Sequence, residues 1–522
     1  MFVHGPTESV LLKVPDPLSV RDVLRQSKPV THPDYNVAVR HTLESTKVLR
    51  NLGHDVPAPI SIQHRWTGKY QPFAHQRVSA EFLTLHRKCL NLSEPGVGKT
   101  ASALWAADWL MNKGFIRKAL IITPLSTMKR VWMNDIFDVL MHRHATVVHG
   151  SRDKRLEALA HDVDFYVINH DGITIEPIFE EIRKRPDIDL IIVDEASKFR
   201  NSKTGKFKAL KKLTAGPERW LWLLTGTPCP NEPTDAWALA QLVNPGNVPK
   251  NFGTFKRDVM LQVSPFKWVP KADAYNRAYA AMQPAIRFKK QDCIDLPPVT
   301  VQDRQCDLSK EQKDAFNAMK LVMQAEAKGR RINAVNAADQ LGKLRQICCG
   351  AIKDPQTGEY ITYPHGPRLN VLLDTIEEAG AKVLVIAPFK GIIRALEKEI
   401  TQAGYSVGVL NGDVSEKQRD HIIVNFKTQA DPHILLCHPA VMAHGLNLTE
   451  ADMLIFYGPI HSNDEYQQVL ERFNRAGQTR KMTVIRMAAH PIEWEIYKLV
   501  DNRGVNQDNI LNLYKSALDL NP

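Results

Sequence analysis

From about residue 71 the chain alternates short, continuous apolar runs with stretches whose apolar residues recur at helical spacing. CLNLSE at 89–94, ALIITPL at 119–125, DFYVINH at 164–170, DLIIVDEAS at 189–197 and WLWLLTGTP at 220–228 form one series. A second starts near Arg368, with AKVLVIAPF at 381–389, YSVGVLNG at 405–412, HILLCHPAV at 433–441, DMLIFYGP at 452–459 and TVIRM at 483–487. Strands covered on both faces read as unbroken apolar runs, and helical stretches between them make the pairing parallel. The pattern therefore predicts two α/β units. Between them, from about 232 to 367, strand signals thin out around the Pro297-Pro298 breaker and a helical stretch at 309–328. Residues 1–70 are punctuated by Pro and His, with one helix expected near 37–52 and a turn-rich end at Pro57-Ala58-Pro59 and Trp66-Thr67-Gly68-Lys69. The division expected is an accessory region at 1–70, a first unit at 71–290, a linker and helical insertion at 291–367, and a second unit at 368–522.

Composition narrows the class. At roughly 150 residues per domain, 522 residues make two to four domains, and 43% hydrophobic with 24% charged residues is globular composition. No run approaches the ~20 apolar residues that cross a bilayer, and the amino terminus does not read as a signal peptide. The expectation is a soluble, cytoplasmic protein without a membrane partner. The formal charge of +11 makes a polyanion a candidate partner. Seven cysteines without a C-x-x-C pair fit a reducing compartment and offer neither a zinc ribbon nor a disulfide framework. Cys348-Cys349 reads as small residues on a helix face.

Chemistry enters at Ser93-Glu94-Pro95-Gly96-Val97-Gly98-Lys99-Thr100, which follows a strand and opens a helix. The strict phosphate-loop pattern has Gly where this chain has Ser93. The rest of the loop keeps its function: Gly96 and Gly98 let the backbone wrap phosphate oxygens, and the helix start offers unpaired N–H groups to the anion. Lys99 would reach the β- and γ-phosphates of ATP, and the Thr100 hydroxyl would ligate Mg²⁺. Asp194 and Glu195 end another apolar run; the first would hold Mg²⁺ and the second orient or deprotonate the attacking water.

These motifs resemble the superfamily-two helicases, in which two RecA-like domains clamp ATP. The resemblance implies an α/β fold of two tandem RecA-like parallel-sheet domains with helical insertions and a small N-terminal accessory region. A small residue at position 93 is common in that family. Gln76, 23 residues before Lys99, matches the family's adenine-reading glutamine. Leu224-Thr225-Gly226-Thr227-Pro228 resembles the segment coupling ATP state to the nucleic-acid groove. The block 467–478 resembles the arginine-finger motif, so that Arg472 and Arg475, three apart on one helix face, would stabilise transition-state charge at the γ-phosphate. The segment 443–449 resembles a motif whose Gly loop, here Gly445 with Asn447, touches nucleotide and strand backbone.

Within the superfamily the chain resembles the Swi/Snf-like ATPases. Ile286-Arg287-Phe288-Lys289-Lys290 with Leu296-Pro297-Pro298 is similar to that group's linker between lobes, and 308–312 with 344–348 to its lobe-two insertion. Asp194-Glu195-Ala196-Ser197-Lys198-Phe199-Arg200-Asn201 resembles D-E-x-H-x-x-K-N, with Ser197 for the usual His and Arg200 for Lys. The compact layout looks like bacteriophage-encoded members, which would place the protein in a host cytoplasm. Lys198, Arg200, Lys203, Lys206, Lys208, Lys211 and Lys212 follow the catalytic acids with no acid among them. They would meet phosphates of the DNA backbone irrespective of sequence. Ser126 and Thr127 resemble a backbone-contacting motif. The resemblance thus implies an ATPase with ATP and Mg²⁺ as ligands that moves on duplex or branched DNA, in fork remodelling, branch migration or annealing. It leaves room for replication, recombination or repair proteins as partners. A strand-separating DNA helicase is the alternative, and an RNA helicase or an ATP-gated DNA clamp fits the motifs less well.

Overall fold

The computed structural model describes residues 2–215, 219–226, 228–229, 232–264, 267–293, 299–327, 334–354, 357–442, 448–474, 478, 480–501, 512–514 and 516–518. They form two compact units that divide between Ile294 and Asp295.

The first unit begins with strands β1 (Phe2–His4), β2 (Ser9–Leu12), β3 (Lys28–His32) and β4 (Tyr35–Arg40), an antiparallel sheet in the order β1-β2-β4-β3. Val10, Leu12, Val37, Val39 and Leu49 build its small core. The helix expected near 37–52 is thereby corrected. Tyr35, Val37 and Val39 alternate at the period of a strand, and the helix starts only at Leu43, where Thr42 and Ser45 form a reciprocal capping box. Residues 57–73 strap this sheet to the larger part of the unit. Glu81 accepts from Arg50 and from the Ala58 N–H and Ser61, while the Trp105 indole donates to Thr67 O at 3.3 Å.

The larger sheet holds β5 (Lys88–Asn91), β6 (Lys118–Thr123), β7 (Ala145–Val148), β8 (Phe165–Asn169), β9 (Ile188–Asp194) and β10 (Trp220–Leu224). After the hairpin β11 (Met260–Ser264) and β12 (Lys267–Pro270), β13 (Ala285–Ile286) completes it. The order is β13-β5-β10-β9-β6-β8-β7, parallel throughout. Leu120, Ile122, Ile191, Val193 and Leu223 face one packed layer, and Ala119, Ile121, Leu190, Ile192 and Trp222 the other. That two-sided burial is why these strands read as unbroken apolar runs.

The second unit has β14 (Val299–Gln305), the hairpin β15 (Ala351–Lys353) and β16 (Tyr360–Thr362), then β17 (Lys382–Ile386), β18 (Val407–Leu410), β19 (Ile434–Cys437), β20 (Ala451–Phe456) and β21 (Met482–Ala488). Its main sheet runs β14-β21-β20-β17-β19-β18, again parallel. The expected helix at 309–328 is Lys310–Ala327, packed against Ala334–Cys349. No described helix is long and apolar enough to cross a membrane.

Candidate active site

The motif residues of the first unit leave the C-terminal ends of neighbouring parallel strands, where open α/β sheets carry their ligands. Asn91 ends β5 and leads into the phosphate loop, Thr225 follows β10, Asp194 ends β9 and Thr123 ends β6.

Gly96 and Gly98 take φ of +83° and +80°, the left-handed region that the loop needs to turn into the helix Lys99–Asn112. The Lys99 ammonium donates to Ser93 O at 2.7 Å and Glu94 O at 3.1 Å, so the loop curls around its own lysine. The helix Ala74–Leu85 closes the other side. Gln76 Oε1 accepts the Phe73 N–H at 2.9 Å, its Nε2 donates to Val97 O at 3.3 Å, and the His75 Nε2 meets the same oxygen at 2.8 Å. A carbonyl oxygen only accepts, so the His75 Nε2 is the donor in this contact. A Cβ at Gly98 would stand 1.9 Å from the Gln76 amide nitrogen. Gln76 is thus a brace of the phosphate loop, with its amide committed to protein partners in this arrangement.

Three donors orient the Asp194 carboxylate: the Thr123 hydroxyl at 3.1 Å and the Trp132 indole at 3.0 Å on Oδ2, and the Glu195 N–H at 3.0 Å on Oδ1. Glu195 itself has φ +49° and ψ +49°. A side chain in the left-handed region costs about 1–2 kcal/mol, a strain of the kind that collects at functional sites. His170, buried beside Phe199, holds Asp194 O at 2.8 Å, and burial lowers its pKa. Sequence reading missed Trp132 and His170, and it placed Thr123 only in the segment 123–127 that resembles a backbone-contacting motif, not beside Asp194. What places Thr123 is strand register in the folded sheet, which spacing along the chain does not show: Ile122 pairs with Val193, which puts the polar residue ending β6 beside the acid ending β9.

Hard oxygen donors suit Mg²⁺, which takes one or two carboxylates plus substrate phosphates and does not need an all-protein cage. Thr100, second in its helix, and the oriented Asp194 are such donors, and both are partly exposed. Among the described residues there is no cluster of three or more His, Cys, Asp or Glu able to hold a metal.

Thr127 is buried, its hydroxyl 2.6 Å from that of Thr123 and donating to Pro124 O, so it faces the interior; Ser126 is half-buried. Lys198 and Lys203 are exposed, and the helix Gly205–Ala215 exposes Lys208, Lys211 and Lys212 while burying Phe207 and Leu210, the Lys211 ammonium lying 6.0 Å from the centre of the Phe207 ring. Arg200 instead lies 3.8 Å from Asp235, and Lys206 3.0 Å from Asp171.

In the second unit Arg472 lies on the helix Asn463–Phe473 and donates from Nε to Met442 O at 3.3 Å, while its carbonyl accepts the Leu448 N–H at 3.4 Å. It therefore anchors both flanks of 443–447. Arg475, Gly445 and Asn447, with Thr227 of the coupling segment, lie outside the described residues.

A model of the SNF2-related domain matches residues 56–352, and one of the helicase conserved C-terminal domain matches 367–477. An uncharacterized ATP-dependent helicase of Mycoplasma genitalium is 24% identical over 408 residues, which is 76% of this chain and 37% of that protein. Protein p41 of Acyrthosiphon pisum secondary endosymbiont phage 1 is 25% identical over 425 residues, 76% of this chain and 87% of its own length. The mouse SWI/SNF-related matrix-associated actin-dependent regulator of chromatin subfamily A member 1 is 24% identical over 436 residues, 76% of this chain and 38% of its own. The chain spans 37% and 41% of the length of the first two curated relatives it matches. Among solved structures, the Sulfolobus solfataricus SWI2/SNF2 ATPase core in complex with dsDNA is 22% identical with a TM-score of 0.41, covering 87% of this chain and 96% of that one.

Proposed function

Because the chain belongs to the SNF2-related family, whose model covers more than half of it, we propose that it is an ATP hydrolase that translocates on duplex or branched DNA. The observation that carries this reading is the convergence of Lys99, Asp194 and Glu195 at the C-terminal ends of β5 and β9, on one rim of one parallel sheet. Two strands so placed, one turning into a glycine loop and lysine and the other ending in paired acids, suit the transfer of a phosphoryl group to water.

In this reading Lys99 exchanges the carbonyls of Ser93 and Glu94 for phosphate oxygens. Thr100 and Asp194 would hold Mg²⁺, which would supply neutralisation of phosphate charge. Glu195 orients the attacking water and takes its proton, and Thr123 and Trp132 keep Asp194 from swinging away. Arg472 and Arg475 stabilise the charge of the transition state. Lys198, Lys203 and the basic face of the helix Gly205–Ala215 meet DNA phosphates, which gives affinity without base selection. Fork regression, branch migration and annealing are outputs within reach of such a motor, and replication, recombination or repair proteins are the partners it would work beside.

Steady-state ATP hydrolysis without nucleic acid and with single-stranded DNA, duplex, a branched fork or RNA tests the proposal, with Glu195→Gln as control. Duplex or fork should stimulate turnover strongly, and the control should lose at least about a hundredfold, within the range for one general base. Stimulation by single strands or RNA alone would replace the reading with a strand-tracking helicase. Negligible hydrolysis throughout would leave an ATP-gated clamp.

A further inference from the structure

Ser93 is where the loop departs from the strict glycine pattern, and it is fully buried. Its hydroxyl serves a segment almost two hundred residues away: Ser93 Oγ accepts the Phe288 N–H at 3.1 Å. One residue on, the Glu94 N–H donates to Phe288 O at 2.9 Å, and Glu94 Oε2 accepts the Lys290 N–H at 2.9 Å. These bonds extend a ribbon already begun by Leu90 N–H to Pro284 O at 3.1 Å and Leu92 N–H to Ile286 O at 2.8 Å. The ribbon thus continues past the end of β5 through loop side chains. Phe288 also packs on His75, ring centroids 5.8 Å apart, and His75 holds Val97 of the same loop. The carbonyls of Ser93 and Glu94, in turn, hold the Lys99 ammonium. Just beyond, the short helix Lys290–Cys293 closes the first unit.

We propose that Ser93 and Glu94 are positioning residues that couple the exit segment Phe288–Lys290 to Lys99. Their side chains grip the segment through which the first unit passes into the second, and their carbonyls hold the lysine that would meet the phosphates. Displacement of the exit segment therefore moves the two carbonyls, and nucleotide binding at Lys99 is felt at the Phe288 and Lys290 amides. The inference rests on the nucleotide-binding reading of the loop and adds a structural line into it. A carboxylate accepting a backbone N–H is among the stronger hydrogen bonds, so its loss is expected to weaken nucleotide binding about tenfold.

The test uses the whole chain and ADP. Hydrogen exchange of the wild type with and without ADP should change at the Phe288 and Lys290 amides. ADP that fails to bind the wild type counts against the nucleotide-site reading itself, whereas ADP that binds without altering either amide overturns the coupling alone. Lys290→Pro removes the N–H that Glu94 accepts together with the lysine side chain, so Lys290→Ala, which keeps the N–H and is expected to bind ADP as the wild type does, is its control; proline is well tolerated at the first position of a helix. Lys290→Pro and Glu94→Ala should each weaken ADP binding about tenfold, Glu94→Gln should restore it because the amide oxygen still accepts, and the double variant Glu94→Ala/Lys290→Pro should be no weaker than Glu94→Ala. Losses that multiply in the double variant, or Lys290→Pro and Glu94→Ala variants that bind as the wild type does, overturn the proposal. If Glu94→Ala does not fold, Lys290→Pro and the wild-type exchange still decide it.

Discussion

A methyl group on Gly226 would stand 2.5 Å from Pro95 Cδ and 2.8 Å from its Cγ. The glycine of the coupling segment is thus there so that the end of β10 can lie against the phosphate loop, and a proline ring cannot rotate away as a long side chain would. Overpacking of this kind costs about 1–3 kcal/mol. If the loop yields, that cost falls on nucleotide binding, so Gly226→Ala is expected to weaken ADP binding about tenfold while Gly205→Ala, with no contact closer than 3.7 Å, leaves it unchanged. Isothermal titration of the two variants checks this. At this scale the residues that can be read from sequence are those whose chemistry is local. Lys99 follows its glycines and Asp194 ends its own strand. Thr123, Trp132 and the grip of Ser93 on Phe288 depend on which strands become neighbours, and that is set by the packed sheet and not by spacing along the chain.

Elements separate along the same physical line. The strands buried on both faces announced themselves, and every apolar run from 89 to 228 and from 381 to 487 contains one. β14 did not: VTVQDRQ is a largely exposed edge strand, and its polar residues are what an unpaired edge requires. The N-terminal sheet was hidden for a related reason, since four short strands around a handful of valines carry little apolar signal. One element-level link was also beyond reach from sequence. Arg368 on the helix Gly366–Glu377 pairs with Glu493 on Pro491–Asp501, both fully buried, and also donates to Tyr457 O at 2.7 Å. Removing one partner strands a buried charge, so Arg368→Ala is expected to destabilise the second unit by about 3–5 kcal/mol. Arg368→Met with Glu493→Leu should recover much of that loss, because neither charge is then left alone. Urea unfolding followed by a probe in each unit reads both effects, with the transition of the first unit unmoved.

For the whole molecule, the net charge of +11 carries less information than its placement. Arg200 and Lys206 are drawn to Asp235 and Asp171, while Lys198, Lys203, Lys208, Lys211 and Lys212 stay exposed. The exposed members of the run are best placed to displace counterions from a duplex, and each phosphate neutralised contributes about 0.9 to the slope of log affinity against log salt. Lys198→Ala/Lys203→Ala is therefore expected to weaken duplex binding at low salt and to reduce the slope by about 2, equally for unrelated sequences, since backbone contacts carry no base information. Arg200→Ala should reduce it less, because its charge is already partly answered by Asp235. Anisotropy titrations of a labelled duplex across a salt series measure all three slopes. A double variant with the wild-type slope would remove Lys198 and Lys203 from the DNA track, leaving the helix Gly205–Ala215 as its remaining basic surface in this run.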